Sequence, residues 1–298
     1  MNYFNCDICG WDSWKQISSS VGAFENLLHH IYKTHGIKIN DIKEMPATNA
    51  VFKVDDTVIK IYTPDETGLC TDFFAEKFCI DRALKLKIPT SEIICDGIVY
   101  DKYLFRYIIT EYINGYTFGD IENALSDSDR IDIGKQLASI TKKLNVPCEE
   151  FNDVNIIERA VTSFRYKDYS SEFNAERINY LKNYKILNEV YVHGDINPCN
   201  IIIDDNKMAY LIDFADSCTA PACYELPPVI CWVFEFDNFY MQGYFDNKYD
   251  NLAENLFNGI LLHDYGGDII KDNFGNCNEI NSLDILYNKI KERINIWK

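Results

Sequence analysis

The chain has 298 residues, 47% of them hydrophobic and 14% aromatic, with a formal net charge of −17. That composition excludes a disordered or low-complexity chain, and the charge opposes nucleic acid and anionic membrane surfaces while favouring a cationic ligand. The opening residues lack a basic stretch followed by a long apolar run, and the apolar run at 229–234 is cut by Glu235. No leader and no membrane span are therefore expected, and a cytoplasmic location is. Most of the eleven cysteines stand alone among apolar residues, the pattern of buried reduced thiols.

Residues 1–38 carry a Cys-x-x-Cys pair, Cys6 and Cys9, and three of the five histidines, His29, His30 and His35. Two thiolates on a tight knuckle and His30 with His35 at the end of a short helix make an S₂N₂ set for structural Zn²⁺, with His29 an alternative ligand. The segment resembles a Cys₂His₂ zinc finger, although 20 residues separate Cys9 from His30 where the usual finger has about 12. Its lysines and acids balance, so the expectation is a small module that docks or caps rather than one that reads DNA.

Residues 39–113 read mainly as strands. Ala50–Val54 and 57–62 are β-rich runs around Asp55-Asp56, a hairpin turn. Thr71 or Asp72 is expected to cap a helix to about Leu86, with Phe74, Phe78 and Cys79 on one face. Ile93–Tyr100 and 103–112 follow as two more strands. From residue 114 the pattern turns helical. Ile133, Leu137, Ile140 and Leu144 form one apolar stripe, and 158–187 is expected to be helical as well. A compact strand-rich island at 190–216 precedes further helices. A β-rich half followed by an α-rich half predicts an α+β fold with two lobes, 39–113 and 114–298, behind the module at 1–38.

The chemistry concentrates in that island. His193-Gly194-Asp195 is followed by Asn200, five residues after Asp195, then by Ile201–Ile203, a polar turn, and Ile212-Asp213-Phe214. A hairpin here brings Asn200, ahead of its first strand, near Asp213 at the end of its second. Amide and carboxylate oxygens suit Mg²⁺, which prefers hard ligands and phosphate oxygens. Asp195 is then free to orient an acceptor hydroxyl and take its proton.

His-Gly-Asp with Asn at plus five, then Ile-Asp-Phe, resembles the aminoglycoside phosphotransferase and choline kinase family, relatives of the protein kinases. The resemblance runs over roughly residues 45–265 and implies a protein-kinase-like fold with Asp195 as catalytic base, and Asn200 and Asp213 as Mg²⁺ ligands. It also implies that Lys60, inside the strand Val58 to Tyr62, pairs with Glu76 to address the phosphates of ATP; Glu66 is a lesser alternative. Thr48 and Asn49 fall where the family covers the phosphates, without its glycines. Glu111 and Ile113 fall at the hinge that holds the adenine edge through backbone groups. Glu225, in Tyr224-Glu225-Leu226, is expected to anchor structure. The expected activity is ATP-dependent phosphorylation of a hydroxyl on a small molecule, one whose positive charge would suit the acidic C-terminal part. A non-catalytic nucleotide-binding or zinc-finger adaptor, and a protein kinase, are the alternatives.

Overall fold

The computed structural model describes residues 2–67 and 73–295. The chain divides into two compact units, residues 1–84 with 90–114 and residues 85–89 with 115–298. Among the described residues no helix is long and apolar enough to cross a membrane.

The first unit is built on a five-stranded antiparallel sheet of β1 (Ile42–Met45), β2 (Ala50–Val54), β3 (Thr57–Ile61), β4 (Ile93–Tyr100) and β5 (Leu104–Glu111), in the order β1-β2-β3-β5-β4. The β2–β3 hairpin turns at Asp55, whose φ of 51° is one that Asp tolerates better than most residues. Alternation gives the sheet two faces. Phe52, Val54, Ile59, Ile61, Phe105, Tyr107 and Ile109 point to one face and are buried there. Lys60, paired across the ladder with Val51 and Ile108, points to the other.

The N-terminal segment covers the first face. It folds as two helices, α1 (Trp11–Ile17) and α2 (Val21–Thr34), the second capped by Ser20, whose hydroxyl accepts from the Ala23 amide. Phe24, Leu27, Leu28 and Ile31 form the inward stripe of α2, and with Phe4, Ile8 and Trp14 they join the sheet residues in one apolar cluster. At about 25 cal/mol per Å² of apolar surface, each such large side chain contributes roughly 1.5–3 kcal/mol. The segment is also tied to three turns of the sheet. The Trp14 indole N–H donates to the Thr48 carbonyl (2.9 Å), Tyr32 and Thr57 are bonded through their hydroxyls (2.7 Å), and the Phe4 amide donates to Asp101 (2.6 Å).

This corrects the reading of 1–38 as a zinc-finger-like docking module. The apolar face that a docking module would present is spent on the sheet. The four candidate ligands have other surroundings: His30 stacks on Tyr3 (centroids 4.0 Å apart), the His35 Nε2 is bonded to the Tyr107 hydroxyl (2.8 Å), Cys6 is half-buried and Cys9 exposed. Among the described residues no group of three or more His, Cys, Asp or Glu is placed to hold a metal ion.

Helix α3 (Phe73–Lys85) completes the unit, and the expected capping residues Thr71 and Asp72 lie outside the described residues. Its buried stripe is Phe73, Glu76, Cys79, Ile80 and Ala83; Phe74 is 65% exposed, so the expected face is rotated by about one residue.

The second unit begins at Gly115, where a Cβ would lie 2.5 Å from the Ile203 carbonyl oxygen, so only glycine lets the chain pass this close. A small sheet of β6 (Tyr116–Thr117), β8 (Ile201–Ile203) and β9 (Ala209–Leu211), and a two-stranded ladder of β7 (Val190–Val192) and β10 (Cys218–Ala220), carry the island. Around them stand α4 (Phe118–Ile121), α5 (Asp127–Leu144), α6 (Ile156–Thr162) and α7 (Ser171–Asn183). After β10 come α8 (Leu226–Pro228), a π-helical turn at Val229–Val233, α9 (Asn238–Phe245), α10 (Leu252–Leu262), α11 (Gly266–Asn273) and α12 (Leu283–Asn295). The stripe Ile133, Leu137, Ile140 and Leu144 of α5 is buried, and Ser126 with Asp129 forms its capping box. The single helix expected over 158–187 is instead two. Ser163 leaves α6 with ψ 122°, a 3₁₀ turn follows at Phe164–Tyr166, and the Ser170 hydroxyl caps α7 by accepting from the Phe173 amide.

Candidate active site

In the first unit, Lys60 and Glu76 meet. The ammonium lies 2.8 Å from one carboxylate oxygen of Glu76 and 2.7 Å from the other. The Tyr62 hydroxyl donates to the same carboxylate (2.7 Å). Glu76 is buried, and a buried carboxylate is tolerated because a cation and a hydroxyl share its charge. Glu66 is exposed and accepts from the Leu104 amide (3.2 Å). Thr48 and Asn49 form the end of the turn between β1 and β2, Thr48 exposed and Asn49 buried, its Oδ1 without a hydrogen-bond partner in the protein. Glu111 is the exposed last residue of β5, and Ile113 follows half-buried in the irregular stretch before Gly115.

In the second unit, the loop from β7 to β8 is shaped by backbone chemistry. Gly194 has φ +80°, and a Cβ there would sit 2.4 Å from the Asp216 carbonyl oxygen. Side chains from below hold this bend. Buried Glu225 accepts from the amides of His193 (2.8 Å) and Gly194 (3.1 Å), and burial pushes its carboxyl up to about 7. The role of Glu225 is thus to hold the loop. His193 is fully buried and held neutral, burial taking it down to about 4. Its Nδ1 accepts from the Asp195 amide (3.3 Å), so Nε2 carries the proton and donates to the Ile212 carbonyl (3.1 Å).

That scaffold gathers the three chemical residues. The Asn200 Nδ2 donates to Asp195 Oδ2 (2.9 Å) and to the Asp195 carbonyl (3.0 Å). The Ile212 amide donates to the Asn200 carbonyl (3.0 Å), extending the β8–β9 ladder by one step and setting Asp213 beside Asn200. Asp213 has φ +58°, a left-handed conformation of the kind that collects at functional sites. The Asp195 carboxyl is raised to about 6, first by burial and then by the charges of Asp216 and Asp213, against hydrogen bonds from Asn197 and Asn200. Because Nδ2 of Asn200 is committed to Asp195, the hard oxygens that Asn200 and Asp213 could offer a cation are the Asn200 Oδ1 and the Asp213 carboxylate. Two hard oxygens of this kind fit Mg²⁺ completed by phosphate and water, and do not by themselves make a protein cage.

Sequence reasoning passed over the neighbouring ion pairs. Arg159 of α6 binds Asp216 (2.7 Å) and Asp264 (3.4 Å), while Arg165 binds Asp264 (3.8 Å) and Asp268, and stacks over Tyr265 (4.0 Å). Asp216, adjacent to the loop that carries Asp195, is therefore already engaged in an ion pair. Nothing in the spacing of Arg159 and Arg165 points to acids so far along the chain.

A two-unit α+β protein whose second unit presents an aspartate on the loop before a hairpin, with an asparagine and a second aspartate at the hairpin's open end, is of the kinase-like phosphotransferase class. The model of the phosphotransferase enzyme family matches residues 44–254, and the chain belongs to that family and with it to the small-molecule kinases. No curated protein matches the chain in sequence. Among solved structures, the streptomycin–ATP ternary complex of APH(2″)-IIa is similar over 87% of this chain and 96% of its own, at 18% identity and a TM-score of 0.59. The GDP and kanamycin complex of APH(2″)-IIIa is similar over 92% and 97%, at 15% identity and 0.59. The choline kinase LicA of Streptococcus pneumoniae is similar over 90% and 98%, at 12% identity and 0.55. Identities this low speak for the fold.

Proposed function

We propose that the protein transfers the γ-phosphate of ATP to a hydroxyl of a small, positively charged molecule in the cytoplasm. The observation that carries this reading is the gathering of Asp195, Asn200 and Asp213, with Asn200 bonded to Asp195 at 2.9 Å and Asp213 set alongside by the Ile212–Asn200 backbone bond. Asp195 orients the acceptor hydroxyl and takes its proton as the oxygen–phosphorus bond forms and the bond to the β-phosphate oxygen breaks, releasing ADP. Asn200 Oδ1 and Asp213 would hold Mg²⁺, which when bound with the nucleotide offsets negative charge on the phosphate oxygens. Lys60, fixed by Glu76, addresses the phosphates; Thr48 and Asn49 cover them; backbone groups of Glu111 and Ile113 take the adenine edge.

The charge of −17 supports a cationic acceptor, as do the kanamycin and streptomycin named for two structural neighbours. Since Asp216, Asp264 and Asp268 are ion-paired with Arg159 and Arg165, an acceptor amine would bind other acids of the second unit. The test is ADP release with MgATP across aminoglycosides, amino alcohols, neutral sugars and anionic sugars. Turnover confined to neutral or anionic acceptors would end the cationic reading; no turnover with any acceptor, alongside wild-type and Asp195→Ala proteins that behave alike, would end the catalytic one.

A further inference from the structure

The turn between β1 and β2 lacks the glycines that usually let a backbone fold closely over phosphate. It reads Pro46-Ala47-Thr48-Asn49. A turn without glycine has fewer conformations to choose from, and Pro46 narrows them again. Something outside the turn must then settle which conformation it adopts. The β1–β2 ladder pairs Met45 with Val51, so the turn itself contributes no ladder bond between those residues.

The external tie is Trp14. Its ring is fully buried against Phe24 (edge-on, centroids 6.0 Å apart), and its indole N–H reaches 34 residues along the chain to the Thr48 carbonyl at 2.9 Å. An indole N–H is a donor only and has a single direction, so the bond sets the orientation of the Thr48–Asn49 peptide. That peptide plane decides where the Asn49 amide points. The Asn49 side chain is itself more than nine-tenths buried, and its Oδ1 has no partner in the protein. A phosphate oxygen only accepts, so it would meet the Asn49 amide N–H, which points away from the Thr48 carbonyl in that peptide plane, and not Oδ1.

We infer that Trp14 is a positioning residue for nucleotide binding: its indole N–H sets the Thr48–Asn49 peptide in the conformation that receives the phosphates, in place of turn glycines. The N-terminal helices thereby act on the site from the sheet face opposite Lys60. This rests on the assignment of the turn to the nucleotide made above.

The experiment compares wild type with Trp14→Phe, which keeps an aromatic ring and removes the donor. Loss of one neutral hydrogen bond predicts a KM for MgATP, and a Kd for MgADP by calorimetry, higher by roughly three- to tenfold. The KM for the acceptor and kcat at saturating MgATP stay within about twofold, and amide exchange across residues 47–50 accelerates while that of α3 does not. A role in packing alone would lower the melting temperature and leave the nucleotide KM in place. Unchanged nucleotide affinity in Trp14→Phe, with wild type binding MgADP normally, overturns the inference and leaves the function standing. Wild-type protein that binds no MgADP overturns the nucleotide assignment and the inference with it. Should Trp14→Phe not fold, 3-benzothienylalanine at position 14 keeps the bicyclic shape without the N–H, and the same affinities decide.

Discussion

Two stretches of this chain carry chemically suggestive residues at suggestive spacings, and only one of them assembles. Asp195, Asn200 and Asp213 converge, because each interval between them is a loop or hairpin whose own backbone bonds fix its path. Cys6, Cys9, His30 and His35 do not. The interval from Cys9 to His30 contains two helices, and the direction of those helices is set by burial against a distant sheet. A spacing informs about a site when local bonding spans it. When tertiary packing spans it, the same residues are taken up by nearer partners, as His35 is by Tyr107.

The strongest way to break that contrast is Asp195→Ala. It should lower kcat by about 10²–10⁴-fold with the fold intact by circular dichroism; a variant that keeps wild-type turnover would reduce the convergent set to a structural hairpin. Next in size, Lys60→Met removes the cation that shares the charge of buried Glu76, and should cost about 3 kcal/mol in urea unfolding as well as nucleotide affinity. Gly194→Ala tests whether backbone sets the catalytic loop. A Cβ 2.4 Å from the Asp216 carbonyl at φ +80° should cost roughly 1–3 kcal/mol and depress kcat, whereas an unperturbed variant would detach the bend from the chemistry.

A smaller effect follows from His263, stacked on Tyr224 and held neutral, burial and then the Arg159 charge taking it down to about 3. The unfolded state takes up a proton below about 6.5 that the folded state refuses, so stability falls as pH drops through that value toward 3. About 1 kcal/mol should be lost between pH 7 and 5.5 in wild type, and that share of the slope should vanish in His263→Gln. The smallest effect belongs to the N-terminal thiols. Cys6→Ser with Cys9→Ser should change stability by less than about 0.5 kcal/mol, and a zinc chelator should leave the melting temperature in place. A drop of several kcal/mol on chelation would restore the metal reading.

The elements legible in the sequence were those with strong local signatures. The β2–β3 hairpin, β4, β5 and the stripe of α5 all show in period and turn residues, and the strand-rich island at 190–216 shows in residue type and spacing. The break between α6 and α7 was hidden because serines at 163 and 170 act as a stop and a cap only when the backbone has already bent. The rotated face of α3 was hidden because Phe73 and Phe74 offer equal hydrophobicity to a periodicity argument, and the sheet chose one. The tie from Trp14 to Thr48 was illegible altogether, since nothing local couples residues 34 apart.

The family match starts at residue 44, which invites cutting the gene there to obtain a minimal domain. The shared apolar cluster forbids that cut. Removing the first two helices would strip the cover from Phe52, Ile59, Ile61, Phe105 and Ile109 together, leaving an open hydrophobic sheet face prone to self-association. The workable boundary for expressing this enzyme therefore lies upstream of Phe4, some forty residues before the point where sequence likeness begins.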